Sequence, residues 1–132
     1  MGKRMIVSIQ IEPETGMAIA TCSGVLRLSD AQEGATALWK TPGWSGRSVV
    51  WDFREAHFDM SSPDIQNIAQ FILTHQPATP PSKVAFVTQR ELDFGMARMF
   101  DVYREEPLTA FQVFRDYEEA ISWARLLEPD VA

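Results

Sequence analysis

The residues best placed for chemistry lie in HFDMSSPDIQNIAQF, from His57 to Phe71. Ser61 and Ser62 stand just ahead of an apolar stripe of helical spacing, with Asp59 before them and Pro63 and Asp64 after them. Two roles suit such a pair. In the first, the serines cap the helix: Ser62 reads as an N-cap with proline at the first helical position, or Ser61 and Asp64 form a capping box instead. In the second, either hydroxyl accepts a phosphate from a kinase. The phosphate would meet free backbone N–H groups and the positive end of a helix, and would add about two negative charges to the surface. Asp59 and Asp64 would oppose it. The cap alone is sufficient reason for a serine ahead of a proline-started helix.

A second constellation comes from the ends of candidate strands. These carry Asp52 and Arg54, then Thr88, Gln89 and Arg90, then Arg115 and Asp116. Ligands of open α/β sheets collect at the carboxyl ends of parallel strands, so Arg54, Arg90 and Arg115 form a candidate anion-binding rim for a carboxylate or phosphate. The plainer alternative is three arginines paired with acids or lying in water, since surface ion pairs are common and small in energy. Met96, Met99, Phe100 and Tyr103 likewise read either as the wall of an apolar ligand pocket or as ordinary core.

Other motifs lack the context their chemistry needs. Asp93–Phe94–Gly95 spells a kinase DFG, but no glycine-rich loop or catalytic-loop motif accompanies it and the chain is too short for two lobes. It falls inside an amphipathic helix, where Gly95 is expected to let a neighbouring element approach closely. His57 and His75 are the only histidines, and no third ligand stands at a metal-site spacing. The single cysteine, Cys22, excludes an intramolecular disulfide and reads as a small apolar residue in a strand. No serine lies in a nucleophile elbow, and neither a cofactor nor a metal is indicated.

Length and charge narrow the classes further. The 132 residues suit one domain, spanning 1–132, with its own core. A net charge of −6, with Lys and Arg scattered among acids, argues against nucleic acid as a partner. The N-terminal run KRMIVSIQIEPE is too short and too soon charged for a signal peptide or membrane span, so a cytoplasmic location is expected.

Apolar patterning then supplies the elements that position these groups. Met5–Ile11 and Met17–Ser23 flank EPETG and predict an N-terminal β-hairpin. SDAQEGATALWK predicts a short helix with a Ser29–Gln32 capping box and a face of Ala31, Ala35 and Leu38, weakened by Gly34. TPGWSG predicts a loop that leaves Trp44 either over the core edge or exposed. Ser48–Phe53, Lys83–Thr88 and Ala110–Phe114 predict central strands, rich in β-branched and aromatic residues. The first two are followed by helical stripes, Ile65, Ile68, Ala69 and Ile72 ending near His75, then Leu92, Met96, Met99 and Tyr103. The last helix has Asp116 and Glu119 at capping-box spacing and a face of Ala120, Trp123, Ala124 and Leu127. Such alternation implies parallel strands joined by right-handed helical crossovers. The expected fold class is α/β, a mixed sheet with an N-terminal β-hairpin, parallel central strands and about four helices.

From Ser48 onward, a central strand ending in VVWDF, a serine pair opening a helix, KVAFVT, a helix, AFQVF and a last helix together resemble the STAS domain. LDFGMARMF and VFRDYEEAISWA are similar in particular to the small stand-alone bacterial proteins grouped as SpoIIAA-like or STAS/CRAL-TRIO-like. In the superfamily's anti-sigma-factor antagonists an Asp-Ser-Ser-Gly type turn follows the central strand, and its first serine is phosphorylated by a partner kinase. The resemblance places that serine on Ser61 and its neighbour on Ser62. The motif aspartate is replaced by Met60, and the glycine gives way to Pro63 and Asp64. The resemblance implies a non-enzymatic regulatory or protein-interaction scaffold with a partner-binding edge, and Ser61 or Ser62 is the candidate position at which phosphorylation would control it. The alternative is a carrier or sensor of a small anionic or lipid-like ligand. A homodimer is a further expectation, from exposed aromatics such as Trp44.

Overall fold

Gly16 turns the chain back on itself at φ +75°, a left-handed conformation that glycine adopts without a Cβ clash. The turn is closed by the Glu12 N–H donating to the Met17 carbonyl at 2.8 Å and the Gly16 N–H to the Glu12 carbonyl at 2.8 Å. It joins β1 (Ile6–Ile11) to β2 (Ala18–Leu26) as an antiparallel pair. The structure is a computed structural model that describes residues 4–44, 47–78, 80–104 and 109–126.

β3 (Val49–Phe58), β4 (Lys83–Val87) and β5 (Ala110–Phe114) add in chain order, each parallel to the strand before it, so the sheet runs β1-β2-β3-β4-β5. Because every parallel crossover advances in the same direction and is right-handed, the connecting helices must all fall on one face. These are α1 (Leu28–Trp39), α2 (Ser62–His75) and α3 (Glu91–Tyr103). Their core joins Phe53, Phe58, Met60, Ile65, Ile68 and Phe100, all less than a tenth exposed. α4 (Tyr117–Arg125) follows the last strand and covers the other face, where Ala120, Ile121 and Ala124 pack on Val50, Ala85, Val87 and Phe114. The expected mixed α/β architecture is the one observed. Leu127, expected on the last helical face, lies outside the described residues.

The central strand runs five residues beyond the predicted Phe53. Thr21 pairs with Asp52 but Ser23 pairs with Glu55, so β3 carries an extra residue opposite Cys22. This bulge resets the side-chain alternation, and Ala56 and Phe58 return to the face of Phe53 although their spacing from it is odd. Arg54 and Glu55, both exposed, mark the kink.

Three helix expectations are corrected. α1 starts at Leu28 with Arg27 as its N-cap, and Asp30, not Gln32, reaches back to accept the Arg27 N–H at 3.0 Å. Asp30 is 3 % exposed, because it also takes the Arg4 guanidinium at 3.2 Å. On α3 the face is centred on Asp93, Ala97 and Phe100, with Met96, Met99 and Tyr103 at its flank and Leu92 60 % exposed. Gly95 faces open space, so no neighbour requires a glycine there. The close approach occurs at Gly34 instead, where an added Cβ would stand 3.3 Å from Met5 Cε and 3.7 Å from the Trp51 ring.

Cys22 is fully buried under the α1–α3 face. Burial, helped by the charge of Asp52, pushes its thiol up from the ordinary 9.0 to about 12. The folded state therefore holds the thiol proton at pH values where the unfolded chain has lost it. This contribution is complete below pH 9 and is lost as the pH rises from 9 toward 12, on the order of 4 kcal/mol in total. Urea titrations from pH 8 to 11 should show that loss in the native chain and a shallower one in Cys22→Ala.

Candidate functional site

The β3–α2 junction holds the serine pair on a fixed mount. The Asp59 N–H extends the β2–β3 ladder by donating to the Leu26 carbonyl at 2.9 Å, and the Asp59 carboxylate stands 3.5 Å from Arg27 Nε. Met60, 7 % exposed, is sunk into the α1–α3 core. Met60 is thus a packing anchor. Ser61 follows as the N-cap of α2, which settles the choice between the two serines. Its Oγ accepts the Asp64 N–H at 3.2 Å, while Asp64 Oδ2 accepts the Ser61 N–H at 3.1 Å, a complete capping box. Ser62 and Pro63 occupy the first two helical positions and are exposed. A phosphate on Ser61 would stand against Asp64, whereas the Ser62 hydroxyl takes no part in the box. Ser61→Ala should cost about 1 kcal/mol in urea unfolding, and Ser62→Ala much less.

The three rim arginines are each placed beside an acid. Arg54 lies inside β3, two residues beyond Asp52, and makes a forked pair with it at 2.9 and 2.8 Å. Its guanidinium also lies 4.3 Å from the centre of the Tyr117 ring, on the α4 side. Burial, reinforced by Asp52, raises the Tyr117 phenol above its ordinary pKa. Arg115 pairs with Glu91 at 3.2 Å and lies 4.2 Å from the centre of the Phe94 ring, so it and Arg90 flank the first turn of α3. Between the strand ends Thr88 is fully buried, and among the described residues its Oγ1 has no hydrogen-bond partner. Thr88→Val keeps the shape while removing that hydroxyl, and should raise stability by about 1 kcal/mol. A thermal melt reads this directly, and a lower midpoint would show that the hydroxyl is satisfied.

Sequence patterning did not anticipate the role of Asp93. It is 2 % exposed, and its Oδ1 accepts the Phe58 N–H at 2.9 Å. His57 Nδ1 stands 3.7 Å and Arg90 Nε 4.0 Å from Oδ2. The acid of the apparent kinase motif ties the end of β3 to the start of α3, one turn of chain from the serine pair. His75 lies elsewhere, stacked on Phe71 at 4.3 Å. Among the described residues no three His, Cys, Asp or Glu side chains gather as metal ligands would.

A partly open cavity of about 130 Å³ lies between the sheet and helices α1, α2 and α3. Ala31, Gly34 and Ala35 of α1 and Ala69 of α2 are among the small residues of its lining, beside the larger Leu38, Ile65, Ile68 and Ile72. Of the four residues expected to wall an apolar pocket, only Phe100 lines it; Met96, Met99 and Tyr103 do not. Trp44, left open between covering and exposure, is half-buried against Leu38 and Val49 and lines the cavity, and its Nε1 is buried with no partner among the described residues. The small-residue spacing on α1 was the sequence signal that could have revealed this space.

A sheet of one antiparallel hairpin and successive parallel strands, with three helices on one face and one on the other, is an α/β arrangement of SpoIIAA-like fold. An uncharacterized protein of the DUF3478 family with a SpoIIAA-like fold, from Shewanella loihica PV-4, superposes with a TM-score of 0.57 at 20% identity, covering 91% of this chain and 93% of that one. An anti-sigma factor antagonist from Mycobacterium paratuberculosis superposes with a TM-score of 0.58 at 12% identity, covering 92% and 95%. No family model matches the sequence, and no curated protein does. No described helix is long and apolar enough to cross a membrane.

Proposed function

We propose that this chain is a non-enzymatic regulatory module that works through a protein partner bound at the β3–α2 junction, with Ser61 or Ser62 as a phosphorylation switch. The carrying observation is an exposed serine pair at the start of α2, held on the buried Met60 anchor. The shared fold of an anti-sigma factor antagonist supports the reading. Phosphate on either hydroxyl adds about two negative charges beside Asp59 and Asp64, enough to change which surface a partner accepts. Ser62 is the hydroxyl that accepts it without dismantling the capping box. Phosphopeptide mapping of Phe58–Phe71 from cells in growth and under stress tests the switch, and a well-covered peptide that is never modified would remove it.

The cavity favours a second reading, a carrier or sensor of a small lipid-like ligand. α2 is both its wall, through Ile65, Ile68 and Ile72, and the helix that begins at the serine pair. A carrier purified gently from its own cells should show a bound small molecule in native mass spectrometry; a bare mass in every preparation counts against it.

A further inference from the structure

We propose that β1 is a pairing edge through which two copies of this chain join antiparallel, with a two-fold axis at Ser8, so that their sheets run on as one. β1 stands at the end of the strand order, and among the described residues no strand pairs with its outer side. The backbone there is aimed outward. The Glu12 N–H donates to the Met17 carbonyl, and the β1–β2 register carries that pairing back at every second residue to Gln10, Ser8 and Ile6. Antiparallel alternation then turns the N–H and C=O groups of Val7, Ile9 and Ile11 away from β2. Open edges are ordinarily blunted by a charge, a proline or a bulge within the strand. IVSIQI has none of the three, and its register with β2 is unbroken from Ile6 to Ile11.

Charge at the two ends of the strand marks a second copy as the occupant. Arg4 stands before β1, Glu12 and Glu14 stand after it, and the strand between them is uncharged. Antiparallel pairing of two copies lays the basic end of each on the acidic end of the other, whereas parallel pairing would lay like on like. The outward groups must face one another, so the registers nearest the middle of β1 are centred on Ser8 or on Ile9. About Ile9, the exposed Ile6 would meet Glu12 of the other copy. About Ser8, Arg4 meets Glu12, Val7 meets Ile9, and the two Ser8 hydroxyls lie opposite each other. Within one chain Arg4 already holds Asp30 and Glu33, and Glu12 holds Arg125, so the match joins existing ion pairs across the axis. The face of Ile6, Ser8 and Gln10 is exposed, because α4 packs on β3, β4 and β5 instead. Such a two-fold contact uses the same edge on both copies and closes at two.

Sedimentation of the full chain, followed from micromolar to near-millimolar concentration, should pass from the mass of one chain to that of two. Ser8 is exposed, so its side chain can be changed without entering the core. Ser8→Lys sets two like charges opposite each other across the axis. It should raise the dimer dissociation constant about 3- to 10-fold and leave the melting midpoint of the dilute chain unchanged. Ser8→Cys, oxidised mildly with copper phenanthroline, should form a disulfide-linked pair at concentrations where the dimer is populated. The native chain, whose Cys22 is fully buried, should not. A single-chain mass at every concentration overturns the proposal. A dimer that Ser8→Lys leaves intact also overturns it, since the contact would then lie on another surface. A dimer that Ser8→Cys never links overturns the register about Ser8. Should Ser8→Lys fail to fold, the cysteine variant still decides whether β1 meets β1.

Discussion

Phe53→Ala is expected to lower the unfolding free energy by about 4 kcal/mol, read as a fall in the urea midpoint at unchanged slope. Phe53 is 6 % exposed at the middle of β3 and meets Phe58 and Phe86 edge-on, at 5.0 and 5.1 Å between centroids. Edge-on ring pairs add to the value of the buried area. The space left would open into the existing cavity, which removes the usual relief of partial collapse. Phe53→Leu restores most of the volume and should cost about 1 kcal/mol. A loss below about 1.5 kcal/mol for the alanine variant would mean that the aromatic cluster is not where the stability lies.

Asp93→Ala should cost about 2–3 kcal/mol, because it strands the buried Phe58 N–H that Asp93 Oδ1 now accepts at 2.9 Å. Asp93→Asn keeps an acceptor of the same shape and should lose about half as much. Hydrogen exchange separates this from a general loosening: the Phe58 amide should lose protection in the alanine variant well before the amides of β4. Since Phe58 leads directly into Asp59, Met60 and Ser61, the alanine variant should also loosen the serine mount. Equal stability of Asp93→Ala and the native chain would show that the tether carries no strain or load.

What patterning could reach differs element by element, for physical reasons. β5 was predicted with its observed bounds and β4 to within one residue, because both are short apolar runs between breakers. α2 ends at the predicted His75, since the following prolines cannot continue it. β3 was cut short at Phe53: a bulge shifts the alternation, and REAH read alone looks like a strand leaving the core. The α3 face was drawn through Leu92 rather than Asp93, because a hydropathy pattern ranks an acid as exposed until its partner is known. That partner, the Phe58 N–H, lies 35 residues back in the chain.

The candidate site divides along the same line. The serine pair was legible because a cap is a local device, written in four consecutive residues and satisfied within them. Which serine caps was left open, since both patterns fit, and the position where the helix begins decided for Ser61. Arg90 and Arg115 were legible as residues just past strand ends, whereas Arg54 lies inside β3, and none was legible as a partner of Asp52, Glu91 or the rings of Tyr117 and Phe94, some of which are distant in sequence.

By itself, then, the sequence determined the α/β class, the order of strands and helices, the hairpin and the serine-capped start of α2. Each depends on contacts within a few residues or on a hydropathy period that the chain carries along its own length. Tertiary structure alone decided the bulge, the burial of Asp93, the pairing of the arginines and the cavity beneath Trp44. The cavity is a volume left between α1, α2, α3 and four strands, and a volume between distant segments has no period in any one of them.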